Sequence, residues 1–312
     1  MKFFQIIPSE THINFISKFR VFLLFSILAG VAIVAGVATK GLNYGIDFTG
    51  GTVVQIRFNE SHNAEAVRKL LSGMGEPDAS VVALGQESLE YLITARTAQD
   101  IKGQESLDKK LGALTGLDKL EVQKVDIVGP KVGAELKRAS LLALFYSIVF
   151  ITIYIWLRFD FRFAPGATIA MVHDLIMVAG FYLVTGKEFT ITAVAALLTI
   201  AGYSVNDTIV IYDRVRELLK KGGEALPIPE TINRAVNLTL SRTLLTAGVT
   251  FISIVPIMFF CEGEIQSFAM AMCFGIFVGS YSTIYIASPF AIYVQKILAK
   301  RKSAGAARTV TA

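Results

Sequence analysis

Long apolar runs alternate with polar stretches along this chain, and several runs are too long for the core of a small soluble domain. Six of them, at residues 21–38, 139–157, 165–185, 189–212, 243–260 and 268–294, come close to or exceed the roughly 20 helical residues that cross a hydrocarbon layer about 30 Å thick. Each is expected to be a transmembrane helix. The first run follows Lys18 and Arg20 and ends in Gly36-Val37-Ala38, as a secretory leader could. It is longer than the roughly 7–15 apolar residues of such a leader, so a retained span is expected.

Residues 39–138, between the first two spans, have a different pattern, with short alternating segments bounded by polar turns. Residues 53–58 alternate as a strand, with Val54, Ile56 and Phe58 on one face. Residues 63–74 place Val67, Leu70, Leu71 and Met74 on one helical face, closed by Gly73 and Gly75. Two strands are expected at 80–84 and 89–94, joined by a polar turn at 85–88. A weaker helix is expected over 104–114, with Leu107, Leu111 and Leu114 inward and Gly103 and Gly112 loosening its ends. A last strand at 120–128 slips its alternation near Gln123-Lys124, as a β-bulge would cause. The order β-α-β-β-α-β is that of the ferredoxin-like split βαβ. Two helices would cover one sheet face and leave the other open to a partner. The region holds no nucleophile–base pair, metal cluster or phosphate loop, so it reads as a binding or moving part.

Composition supports the membrane reading. Of 312 residues 53% are hydrophobic and only 18% charged, against about 25% in an average soluble domain. Mean hydropathy is +0.56. A disordered chain is excluded, and an ordinary soluble enzyme is disfavoured. Cys261 and Cys273 make no disulfide framework, and three scattered histidines make no zinc site, so neither metal nor cofactor is expected.

The net charge of +5 matters through its placement. Lys2, Lys18 and Arg20 precede the first span, and Arg158 and Arg162 separate the second and third. Arg214, Arg216, Lys220, Lys221 and Arg234 separate the fourth and fifth, and Lys296, Lys300, Arg301 and Lys302 follow the sixth. The opposite loops carry only Lys187-Glu188 and the acidic turn at 262–264. By the positive-inside rule, residues 1–20, 213–242 and 295–312 are expected in the cytoplasm and 39–138 outside. The cations are explained by topology and call for no nucleic acid.

Ionisable groups within spans cost about 2.5–3.5 kcal/mol on insertion and are functional candidates by default. Asp207, after Asn206, ends an almost charge-free stretch from Phe189. His173 and Asp174 lie near the middle of the third span. Arg242 opens the apolar pattern of the fifth, or lies a few turns inside if that helix begins near Thr231. Each also has a structural reading. Asp207 could reach headgroup water or pair with Arg214, and Arg242 could be a snorkelling, topology-setting cation. Asp174 could simply bond a neighbouring helix, and His173 is read as structural. Spans four and five run antiparallel, which brings Asp207 and Arg242 to similar depth. A carboxyl between apolar surroundings, which favour the acid, and a guanidinium, which favours the anion, can load and release a proton. Gly275 and Gly279 form a G-x-x-x-G in span six, and Ala193, Ala195, Ala196, Ala201 and Gly202 give span four small residues for close packing.

Four sequence motifs then stand in order: GIDFTGGT at 45–52, VGPKVGAEL at 128–136, GYSVNDTIVIYDRVRE at 202–217 and LSRTLLT at 240–246. Together, at this spacing, they closely resemble the SecF-type subunits of the SecD/SecF protein-export family, over about residues 18–295. The resemblance implies half of a twelve-helix unit like that of the RND exporters, completed by SecD. It implies a place in the bacterial inner membrane beside the SecYEG channel, with YajC and YidC, acting on secretory precursor proteins. It implies use of the proton-motive force to promote late steps of export, without covalent chemistry of the chain's own. The proton-carrying roles fall on Asp207 and Arg242, with Asp174 as a third candidate of unassigned role. Gly45, Asp47, Gly50, Gly51, Gly129, Pro130, Gly133 and Asn206 are the remaining motif positions. Gly45, Gly50 and Gly51 permit a tight turn into the first strand, and Asp47 is expected as a turn or cap residue. Two further readings stay open: a half-exporter of small molecules or lipids, and a non-conducting scaffold of the translocase.

Overall fold

The computed structural model describes residues 11–58, 64–73, 79–84, 89–95, 121–159, 163–222 and 227–297. Among the described residues, the segment between the first two membrane helices forms a four-stranded antiparallel sheet. Its strands are β1 (Gly51–Arg57), β2 (Ser80–Leu84), β3 (Glu90–Ala95) and β4 (Glu121–Val128), in the order β2-β3-β1-β4. That order, with β1 antiparallel to both β3 and β4, is the split βαβ arrangement. One face carries Val54, Ile56, Phe58, Val81, Tyr91 and Ile93, closed by Val67 and Leu71 of a helix at Ala64–Gly73. The expected bulge is present: Gln55 pairs with Lys124 and Ile56 with Val122, so Gln123 is the extra residue. The second helix expected at 104–114, the turn at 85–88 and the tail at 303–312 lie outside the described residues.

With α1 at Phe19–Lys40, a short α2 at Ile46–Thr49 and α3 the sheet-covering helix, the chain continues into five long helices. These are α4 (Pro130–Arg158), α5 (Ala164–Thr185), α6 (Ile191–Gly222), α7 (Ile228–Phe260) and α8, which starts at Gly263. The last passes through a π-turn at Thr283–Ala287 and ends at Ile297. Among the described residues six helices are long and apolar enough to cross a membrane, and the chain is a multi-pass membrane protein. Helices α6 and α8 lie innermost. On α1, α4 and α7 many large apolar side chains face outward, among them Leu28, Phe150 and Ile252.

Most of the stretch at 213–242, expected as a cytoplasmic loop and the start of the fifth span, is helical, on both sides of residues 223–226. It is amphipathic, with Val215, Ile232, Ala235 and Val236 buried, so a search for continuous apolar runs stops short of it.

Small residues set the helix contacts. A Cβ on Gly275 would come within 2.3 Å of Ile200 Cδ1, and one on Gly279 within 3.2 Å of Ser204 Cβ, so the G-x-x-x-G face of α8 rests on α6. Gly180 of α5 admits Ile33 of α1 in the same way.

The sheet is joined to the bundle without slack. Only Gly129 separates β4 from α4, with Pro130 at the first helical position, where its missing N–H costs nothing. Gly50, at φ 76°, lies so close to α4 that an added Cβ would stand 2.9 Å from Pro130 Cα. A Cβ on Gly133 would stand 3.0 Å from Gly50 N. The motifs at 45–52 and 128–136 therefore interlock. Asp47 is a cap, as expected, but for another element: its Oδ2 accepts the Ile191 N–H at 2.9 Å, at the start of α6. Tyr44 and Gly45 meet the α5–α6 loop through Gly45 N–H to Phe189 O at 3.0 Å. Tyr44, Phe48, Phe189 and Tyr182 form an aromatic cluster beneath the junction.

Candidate functional site: an intramembrane carboxyl cluster

Two carboxyls lie inside the helix bundle, and they are held differently. Asp174 of α5 is fully buried. Its Oδ2 accepts hydrogen bonds from Ser204 Oγ of α6 and from Ser282 Oγ of α8, the latter at 2.7 Å. Its Oδ1 lies 3.0 Å from His173 Nδ1. One side chain thus ties three helices together, the packed arrangement that was one of its two expected readings. The His173 ring is nearly buried, and its Nε2 has no partner among the described residues.

Asp207 of α6 is also buried, 4% exposed, but its Oδ2 has no hydrogen-bond partner among the described residues. Arg214, one of its expected partners, instead bonds Glu217. Arg242 lies on α7, at a depth close to that of Asp207: Asp207 is about 24 Å along α6 from its start, and Arg242 about 27 Å from the end of α7. The guanidinium attracts the carboxylate electrostatically, yet no direct ion pair joins them among the described residues. Arg242 is exposed on the outer side of α7, so of the pair only Asp207 is buried. The adjacent Thr243 hydroxyl is buried and has no partner among the described residues.

Around Asp207, α6 carries a polar stripe at helical spacing. Ser204 bonds Asp174. Thr208 Oγ1 lies 3.2 Å from Thr283 Oγ1, and Tyr212 OH donates to Ala287 O at 2.9 Å. These three residues, at i, i+4 and i+8, lie within the motif at 202–217. The opposite side of α6 exposes Ala195, Thr199, Gly202 and Asn206, so Asn206 points away from the cluster.

Charge and apolar periodicity gave no sign of one feature. Asn233 and Asn237, one turn apart on α7, bind the segment before α1. Asn237 Oδ1 accepts from Ile13 N at 2.8 Å and from Thr11 Oγ1 at 2.7 Å, and Asn237 Nδ2 donates to Ile13 O at 2.8 Å. Asn233 Oδ1 accepts from Phe15 N at 3.0 Å.

A cleft of about 680 Å³ lies between the sheet face opposite α3 (Val53, Val82, Leu92, Lys124) and the bundle loops at Lys187 and Glu264. The sheet face expected to be free therefore looks partly onto the bundle. No group of acidic, histidine and cysteine side chains suited to a metal ion occurs among the described residues.

Comparison with known proteins agrees with this architecture. Residues 109–297 match the family described as protein export membrane protein SecD/SecF, C-terminal, and residues 35–61 match the SecD/SecF GG motif. The chain is 39% identical over 307 residues to protein translocase subunit SecF of Calditerrivibrio nitroreducens, covering 96% of this chain and 99% of that protein. It is 38% identical to SecF of Vibrio alginolyticus, covering 93% of this chain and 92% of that protein. Against protein translocase subunit SecDF of Brucella abortus it is 41% identical over 92% of its length, but it spans only 38% of that longer protein. The crystal structure of SecDF from Thermus thermophilus, a translocon-associated membrane protein, superposes with a TM-score of 0.81 at 34% identity. It covers 93% of this chain, which spans 40% of that one.

Proposed function

Since the chain belongs to the SecD/SecF protein-export family, as a SecF-type translocase subunit, we propose that it couples proton movement through Asp207 to late steps of precursor export. The observation that carries this reading is a buried carboxyl with an unsatisfied oxygen and an arginine acting on it from the next helix. An unpaired polar atom in a bundle core is costly, and a group that must take up and give back a proton has to leave one bonding position open. Arg242 favours the anion and the apolar surroundings favour the acid, so small shifts between α6 and α7 change which form is held. Asp174, with its bonding filled, serves the cluster by anchoring α6 to α5 and α8.

Pairing with SecD is supported by the single-chain SecDF relatives, of which this chain corresponds to a minor part. It is also supported by the exposed small-residue stripe of α6 and the outward Arg242, which a second six-helix half would cover. Family membership supports a bacterial inner-membrane location, and the charge pattern supports both termini in the cytoplasm with the sheet domain in the periplasm. There the sheet domain would stand beside SecYEG, with YajC and YidC in the same assembly, where a precursor emerges. The energy available is about 2.3 kcal/mol per proton for each 100 mV of potential.

The test is precursor export into inverted vesicles containing this chain and SecD, with the proton gradient present or collapsed. Asp207→Asn should insert normally and lose the gradient-dependent increment. Equal export by both forms would remove Asp207 from the mechanism and leave a scaffold role in its place.

A further inference from the structure

The π-turn at Thr283–Ala287 is the one interruption in α8, and it faces the polar stripe of α6. A π-turn carries one residue more than an α-turn and releases a backbone carbonyl from the helix ladder. Here Ser288 Oγ returns to Thr283 O at 3.1 Å, and Tyr212 OH donates to Ala287 O at 2.9 Å. The Tyr212 side chain is fully buried, its ring 5.2 Å from that of Phe163 and 6.5 Å from that of Phe159. Its hydroxyl sits in a gap that exists only because residue 166 lacks a side chain. A Cβ on Gly166 would fall 2.5 Å from Tyr212 OH and 2.6 Å from Ala287 O. The start of α5, the middle of α6 and the π-turn of α8 therefore close on a single hydroxyl.

Resting on the proton-site reading above, we propose that Tyr212 is the positioning residue for Asp207: its hydrogen bond to the π-turn fixes the rotation of α6 and so the direction in which the carboxyl faces. Tyr212 lies five residues beyond Asp207 and touches no transported species. A helix bound at only one point along a stripe can still turn about its axis. With bonds at Ser204 on one side of Asp207 and at Thr208 and Tyr212 on the other, α6 cannot turn without breaking at least one of them. Ser204 is tied to Asp174, whereas Thr208 and Tyr212 both end on the π-turn, at Thr283 and Ala287. Relaxing the π-turn into regular helix would change the register between Thr283 and Ala287 by one residue, so the two bonds could not both be kept.

The ionisable groups on the helices packed against α6 limit what else could set the behaviour of Asp207. From α7 it is Arg242 that acts on it. From α5 there is Asp174, which already bonds His173 and accepts from two serines. Between Glu264 and Lys296, α8 offers Cys273 and tyrosines but no acid or base, and between Arg138 and Arg158 α4 offers Tyr146 and Tyr154.

The test is labelling of Asp207 by a hydrophobic carbodiimide, which attacks the protonated carboxyl, in membranes holding the full chain with its translocase partners. Labelling is followed by mass spectrometry between about pH 5 and pH 9. Wild type should show one titration at Asp207, and Asp207→Asn none. Tyr212→Phe, which keeps the ring and removes the hydroxyl, should move the midpoint by about half a pH unit or more. The membrane level of the protein should stay unchanged. If Tyr212→Phe fails to accumulate, Thr208→Val cuts the adjacent tie and should move the midpoint in the same way. A wild-type titration that these variants leave in place overturns the positioning role alone. The absence of any wild-type titration overturns the proton-site reading and this inference with it.

Discussion

Asp174 and Asp207 are both carboxyls buried among membrane helices, and their surroundings predict opposite responses to substitution. Asp174 accepts from two serines on two other helices and meets His173. Replacing it with alanine strands those donors, at about 1–3 kcal/mol for each group left unmatched. Asp174→Ala should therefore lower the unfolding temperature in detergent sharply. Asp207 has an oxygen that lacks a partner among the described residues, so Asp207→Asn removes no bond that the structure holds at that oxygen. Its unfolding temperature should stay close to wild type while gradient-driven export falls. The two variants measured side by side separate support from function, and equal losses of stability would count against the distinction.

At the scale of elements, the asparagine pair on α7 acts as a clasp for the segment before α1. The Asn237 side chain alone makes three hydrogen bonds to Thr11 and Ile13, so Asn237→Leu should free that segment. Limited proteolysis in detergent should then cut ahead of Phe19 several times faster than in wild type, and an unchanged cutting rate would argue against the clasp. This element was illegible in the sequence for a physical reason. Two asparagines one turn apart read only as a polar helix face, and their target lies more than two hundred residues away with no pattern of its own. The spans, the strands and the bulge at Gln123 were legible because apolar periodicity and its slip are local signals. The polar stripe of α6 was half-legible: a charge in an otherwise apolar span drew attention to Asp207, but the roles of Ser204, Thr208 and Tyr212 depend on where α5 and α8 pass. Asp47 shows the same limit, since its side chain marks a cap while only the fold tells which helix it caps.

For the whole molecule, the junction between sheet and bundle decides how motion in one part reaches the other. Gly50, Gly133 and Pro130 touch backbone to backbone, and Asp47 holds the start of the helix that carries Asp207. Inserting two glycines between Val128 and Gly129 would leave the sheet and the spans intact but break this continuity. Such a variant should accumulate in membranes at wild-type level and lose the gradient-dependent part of export, and retention of that part would show that rigidity at the junction is dispensable. The single-residue link from β4 into α4 also sets a mechanical scale. Helix α4 has 29 residues and is about 43 Å long, so it works as a lever whose fulcrum is the interlocked glycines. A tilt of about ten degrees there would swing its far end by about 7 Å, more than one helical turn. A modest rocking of the sheet domain is thus large enough, on the opposite membrane face, to re-seat a neighbouring helix.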